Sequence, residues 1–295
     1  MPDRDWVIII ILGIGWGGTF FFNEVLLRDL GPVSVSAARV STAALFCWVY
    51  AVLTGRARWP GLARLPQLAI FGTLMFGFPF AIYPVGQQFV TGGVAGIVNA
   101  LTPVLVVIVS HFWPGGERAT VLKSLGVLAG VVGIVFLTIP AIGTTDGQLF
   151  GTLFLVLAPV CYGIAMNYIR RLSDLDVAVT TSWSFTFAGL LMMALAGVLE
   201  GAPGTISVAS WASIAFLGCV LTGVSFLVAF TILPRAGATK TSTVTFVAPV
   251  SALFLGYVLL SEEITALHLA GMAAIFLGLL LIDGRLFRRG GVAAS

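Results

Sequence analysis

Two helical stripes of aromatic and polar side chains hold most of the chemistry this sequence offers. Trp16, Thr19, Phe20 and Asn23 recur at helical spacing, as do Phe76, Phe80, Tyr83 and Gln87, so each set falls on one face of a helix. Rings with polar tips suit the wall of a wet cavity, where the apolar part of a small molecule stacks and its polar part is hydrogen-bonded. A further candidate is backbone. Pro103 and Pro249 lie inside apolar runs, and proline lacks the N–H that would bond the carbonyl four residues back. The carbonyls of Asn99 and Thr245 are thereby freed, the first with the Thr102 hydroxyl close by, and an ammonium group is one species that would meet them. The same prolines are the expected hinges. Glu24 and Arg39 are the charges deepest inside apolar runs. An intramembrane charge calls for a partner, so these two are expected to form a structural ion pair, with substrate contact as the alternative.

Catalytic chemistry has little support. The stretch Ala236 to Thr241 has Thr239 where a P-loop needs the glycine before its lysine. There is no Gly-x-Ser-x-Gly, no His-Glu-x-x-His and no pair of intramembrane aspartates. Cys47, Cys161 and Cys219 all sit in apolar runs without metal-ligand spacing. No enzyme activity, cofactor or metal is expected.

These candidates must be positioned by membrane helices. The chain is 59% hydrophobic and 9% charged, with a mean hydropathy of +1.07, whereas a soluble domain is about 25% charged. A spanning helix needs about 20 mainly apolar residues, and ten runs qualify: 6–27, 33–54, 66–87, 93–113, 119–140, 148–170, 177–199, 209–231, 238–259 and 265–286. The first is too long for a cleaved leader. Of the 15 Lys and Arg, thirteen lie on one side of this arrangement: Arg4; Arg56, Arg58 and Arg64; Arg118 and Lys123; Arg170 and Arg171; Arg235 and Lys240; Arg285, Arg288 and Arg289. Positive residues mark the cytoplasmic side, which puts both termini inside a cell (inner) membrane. Because the basic residues sit in short turns, the net charge of +3 does not point to nucleic acid.

The runs repeat. Pro103 and Glu117 fall on Pro249 and Glu263 at an offset of 146, as Trp16-Gly17 falls on Tyr162-Gly163, Gly72 on Gly218, Gly77 on Gly223 and Phe80 on Phe226. One residue is then lost, and Gly126 and Gly133 fall on Gly271 and Gly278. Each copy, 1–145 and 146–295, holds five helices. An odd number makes the second copy enter the membrane from the opposite side. Inverted repeats of this kind typify secondary transporters, with the substrate near the midplane between the halves.

Ten helices in two copies, Trp16-Gly17 in the first helix, Arg39 early in the second, the two Pro-to-Glu stretches and glycine-rich fifth and tenth helices resemble the drug/metabolite transporter superfamily, EamA-type. The chain is most similar to the YddG-like amino-acid exporters. That resemblance implies an all-α basket around a central cavity, alternating access, and export of aromatic and other neutral amino acids. The substrate would be held by Trp16, Thr19, Tyr83, Asn99, Thr102, Tyr162 and Thr245. The partners are a small-molecule substrate and the bilayer, and a monomer is expected. The rival within the superfamily is efflux of lipophilic cations, which favours a mid-depth carboxylate; Trp16-Gly17-Gly18 stands there instead, with Glu24 about two turns further out. A channel or structural membrane protein is the rival of another class.

The charge bias makes the first prediction. A reporter fused after Arg64 or Arg171 reports a cytoplasmic position, and one inserted between Gly143 and Gly147 an external one. A cytoplasmic signal from the second fusion breaks the inverted arrangement.

Overall fold

The structure is a computed structural model that describes residues 2–142 and 147–283, and the side chains of residues 6–140, 142, 147–232 and 244–283. Arg4, Arg235, Lys240 and the C-terminal arginines of the charge count lie outside the described side chains. Every regular element among the described residues is helical. The helices are α1 (Trp6–Leu26), α2 (Pro32–Leu53), α3 (Leu62–Gln87), α4 (Gly92–Phe112), α5 (Val121–Thr138), α6 (Gln148–Leu172), α7 (Val177–Leu199), α8 (Val208–Ile232), α9 (Val244–Leu260) and α10 (Ala266–Asp283). Nine of these are long and apolar enough to cross a bilayer; α8 and α9 name two stretches of helical conformation that is continuous from Ser225 to Leu260, of which α9 is the part with described side chains from Val244 on. Each expected apolar run falls on one of them.

Local sequence sets the ends. Pro32 opens α2 with its φ pre-set and no N–H to waste. Thr91, Thr120, Asp176 and Ser207 cap α4, α5, α7 and α8 with side-chain oxygens. Gly55, Gly115 and Gly201 take positive φ in the turns after α2, α4 and α7, where a Cβ would be strained.

In lipid, apolar helices gain little from burying one another, so close backbone approach decides which ones pair. The tightest contacts run through glycine. A Cβ on Gly126 would lie 2.6 Å from the Gly278 carbonyl, and one on Gly133 2.8 Å from that of Gly271, which joins α5 to α10. Gly17 lets α1 reach the Ala248 carbonyl of α9, and Gly163 lets α6 reach the Leu105 carbonyl of α4. Helix α2 packs along α7.

Several helices are interrupted towards the centre. Helix α4 breaks at Ala100 and Leu101, just before Pro103, and α6 breaks at Val156, just before Pro159. Helices α3 and α8 widen to π turns over Thr73–Gly77 and Phe216–Val224. The expected hinge at Pro103 therefore coincides with a real break. Pro249 does not: helical conformation continues from Ser225 to Leu260. Around Pro249 α9 is pressed onto α1, where the Ser251 hydroxyl donates to the Ile14 carbonyl at 3.0 Å.

On one face of the bundle, two helices receive their N-terminal caps from elsewhere in the chain. Glu200, just past α7, accepts from the N–H groups of Val33 and Ser34 at 2.7 and 2.8 Å and from the Ser34 hydroxyl. Glu262, just past α9, accepts from the N–H groups of Gly92 and Gly93 at 2.8 and 2.9 Å. Carboxylates there satisfy orphan donors and meet the positive end of the helix dipole. Glu117 and Glu263, the carboxylates of the repeat, do otherwise: Glu117 pairs with Lys123, and Glu263 is exposed. Glu200→Ala or Glu262→Ala should each lose about 1–3 kcal/mol of stability, seen as a lowered unfolding temperature in detergent. Glu263→Ala should stay within about 0.5 kcal/mol. Equal shifts for all three contradict the capping role.

Candidate functional site

The interrupted segments bring a cluster of rings together where α1, α3, α6, α7 and α8 converge. Trp16 stacks on Phe226 with centroids 5.4 Å apart. Phe226 also meets Phe76, Phe80 and Phe185, and Phe76 stacks on Phe185 at 3.9 Å. Phe20 stands edge-on to Tyr83 at 5.2 Å, and Tyr83 faces Tyr162 at 6.5 Å. Of the residues expected to form a site, Tyr83, Asn99 and Tyr162 are thus linked, since the Tyr83 hydroxyl also donates to Asn99 Oδ1 at 2.6 Å, while Trp16 belongs to the set of rings around Phe226. The carbonyl of Asn99 is freed by Pro103 as expected, and the Thr102 hydroxyl takes it at 2.7 Å. The hydroxyl of Thr19 bonds the Trp16 carbonyl on its own helix. Thr245 lies half-buried on α9, which packs along α1 and along the first part of α4, Gly92–Asn99.

The expected Glu24–Arg39 ion pair is not formed. Glu24 accepts from Gln87 Nε2 at 2.9 Å. Arg39 is 4% exposed; its Nε donates to Thr222 Oγ1 at 2.9 Å and its guanidinium lies 3.6 Å from the centroid of the Phe80 ring. The reason is topological. Helices α1 and α2 are neighbours in sequence, yet α1 packs along α9 while α2 packs along α7 and the π turn of α8. Their inward faces look at different partners.

Gln87 also donates to the Phe20 carbonyl and accepts from Asn23 Nδ2, both at 2.9 Å. Asn23 and Gln87 therefore act first as interhelical ties. Above them a cavity of about 870 Å³ opens between the turns that follow α1, α3, α5 and α9. Glu24, Gln87, Glu262 and His268 are on its wall. This face is opposite the basic turns, where Arg64 pairs with Asp174 and Arg56 with Asp176. In the turn after α1, hydrogen bonds from Ser207 and Ser210 hold the Asp29 carboxyl below the usual carboxylate range.

Sequence reasoning missed Phe226, Phe185 and Thr222. Phe226 had a signal, being the repeat partner of Phe80. Thr222 had none, because its reach depends on the π turn: its hydroxyl donates to the carbonyl of Leu217, five residues back, at 2.7 Å.

With Glu24 and Arg39 apart, Glu24→Gln and Arg39→Gln should be additive in stability, with a coupling below about 0.5 kcal/mol in a double-mutant cycle. A coupling of several kcal/mol would restore the ion pair.

Comparison with known proteins fits this arrangement. The sequence profile described as the EamA-like transporter family matches residues 6–139 and again residues 149–283. An uncharacterized transporter of Bacillus subtilis, YoaV, is 26% identical over 92% of this chain and 94% of its own. An uncharacterized transporter of Archaeoglobus fulgidus is 24% identical, covering 95% and 98%. Protein PecM of Dickeya dadantii is 23% identical, covering 93% and 91%. A solved crystal structure superimposes over the whole of both chains with a TM-score of 0.70 at 19% identity, a likeness of fold. The chain is a multi-pass membrane protein and belongs to the EamA-like transporter family.

Proposed function

We propose that this transporter exports amino acids, those with aromatic or large apolar side chains first, by alternating access between two inverted five-helix repeats. The observation that carries the substrate reading is that two sets of rings, Trp16 with Phe226 and Phe80, and Tyr83 with Tyr162, belong to one buried core cluster. Aromatic walls of this kind stack on aromatic side chains.

The inverted repeat is supported by contacts that recur in the same register. Gly17 abuts Ser251 and Gly163 abuts Leu105; Gly77 abuts Met192 and Gly223 abuts Phe46. In each case the second contact is the first shifted by 146 residues, with the halves exchanged. Gly126 meets Gly278 and Gly133 meets Gly271, the reciprocal pattern of a two-fold axis. The double match to one family profile, 6–139 and 149–283, agrees with repeats of 1–145 and 146–295. This reading counts α8 and α9 as separate passes, which makes ten; in its support, Phe226 touches Trp16 while Ala248 and Ser251 flank Gly17, a closer approach than a straight helix would allow positions 226 and 248, about 33 Å apart along its axis.

In this reading the charge bias puts both termini in the cytoplasm of a cell with this protein in its inner membrane. The substrate enters from the cytoplasmic face and leaves through the 870 Å³ cavity, which then faces outward. The carrier works as a monomer. Among the described residues no carboxylate stands with the central rings to carry a proton, and the buried cation there disfavours lipophilic cations as cargo, so facilitated exchange of zwitterions is the expected mode. Trp16→Ala or Tyr83→Ala should reduce transport of phenylalanine or tryptophan several-fold more than that of alanine, an aromatic contact being worth about 0.5–1.5 kcal/mol beyond area burial. Trp48→Ala is the control: Trp48 meets Trp183 and donates to Thr186 away from the centre. Equal losses for aromatic and small substrates would point to packing instead.

A further inference from the structure

Arg39 is a buried cation inside an apolar bundle, and no carboxylate answers it. Among the described residues the salt bridges are Arg56–Asp176, Arg64–Asp174 and Lys123–Glu117, all in or beside the turns. Arg39 lies about 11 Å along α2 from its first residue, Pro32. A guanidinium offers five N–H donors and no acceptor. One of them is engaged: Nε donates to Thr222, whose own proton is committed to the Leu217 carbonyl, so that a lone pair faces Arg39. Phe80 covers one face of the guanidinium plane. The planar fork of Nη1 and Nη2 is thereby oriented without a counter-charge. A second donor of the same cluster is also unanswered: Trp16 Nε1 is buried with no hydrogen-bond partner. Both surround the Phe80–Phe226 pair, since Trp16 stacks on Phe226 and Arg39 on Phe80. An unpaired charge in the bilayer interior is costly and marks function. Donors alone, with no acceptor to match, select an acceptor-rich anion.

We propose that Arg39 is the anion-binding residue of the central site and takes the carboxylate of the transported molecule on its fork. Thr222 and Phe80 are positioning residues that aim it, and Trp16 supplies a further donor. The π turn of α8 serves to bring Thr222 within reach, in keeping with the frequency of such turns at functional sites. This rests on the reading of the ring cluster as the substrate site, and it adds a requirement: the substrate is a carboxylate, and the equivalent amide is rejected.

The test is direct binding to the full chain in nanodiscs, measured for two pairs of ligands: 3-phenylpropionate with 3-phenylpropionamide, and phenylalanine with phenylalaninamide. The wild type should favour the carboxylate of at least the first pair by roughly tenfold or more, as a charge-assisted hydrogen bond implies. Arg39→Gln should close that gap, Arg39→Lys should keep part of it because the charge stays but the fork is lost, and Thr222→Val should narrow it with the charge untouched. Thermal unfolding establishes that each variant is folded; should Arg39→Gln not fold, Arg39→Lys and Thr222→Val decide. A wild type with no preference for the carboxylate, or folded variants that keep the full preference, overturn the proposal. Binding of phenylpropionate that depends on Arg39, without binding of phenylalanine, upholds the anion site and removes the amino-acid reading.

Discussion

Inside a bilayer every polar group of the backbone must be met by the protein itself, and this constraint explains much of the structure. Where α4 breaks before Pro103, the Thr102 hydroxyl takes the Asn99 carbonyl. Where α8 widens, Thr222 and Ser225 return their hydroxyls to carbonyls five residues back. Where α2 and α4 begin, Glu200 and Glu262 arrive from the far ends of α7 and α9 to take the first N–H groups. Each irregularity carries its own remedy. Arg39 and the indole of Trp16 are among the buried polar groups whose remedy is incomplete, with the hydroxyls of Ser41, Ser182 and Ser184.

The same constraint divides the bundle into rigid and adaptable parts. The α5–α10 and α1–α9 pairs are joined through glycines with backbone nearly touching backbone, contacts that leave no room for sliding. The breaks and π turns gather instead in α3, α4, α6 and α8, which line the ring cluster. A carrier needs this combination, because rigid pairs can rock about a site only if the helices that line it can yield. The cap from Glu262 crosses from the second half of the chain to the first, so it ties the halves on the face where the large cavity lies.

The helices were legible in the sequence because a spanning run is a strong one-dimensional signal. The run expected over 177–199 coincides with Val177–Leu199, and 33–54 differs from Pro32–Leu53 by one residue at each end. The repeat was legible through its glycines, since close approach admits no other residue at Gly126 or Gly278 without moving backbone. Partners were less legible. The offset of 146 singled out Glu263, whereas its neighbour Glu262 does the capping; a repeat register cannot tell which of two adjacent carboxylates a turn will aim inward. Glu24 and Arg39 looked like a pair because both are deep and their helices are consecutive, but consecutive helices here belong to different packed pairs. Pro249 read like Pro103, yet only Pro103 stands at a break, because neighbouring backbone decides whether a proline bends its helix.

The central claim is that the chain is an alternating-access carrier for amino acids, and counter-transport tests it most directly. Proteoliposomes containing the purified protein, loaded with unlabelled phenylalanine, are placed in a trace of labelled phenylalanine, and then across a panel of labelled amino acids with and without a pH gradient. The account predicts that internal phenylalanine accelerates entry of the label, that aromatic members of the panel exchange fastest, and that the gradient changes little. Flux indifferent to the internal substrate would mean a pore, and no protein-dependent flux for any amino acid would contradict the account.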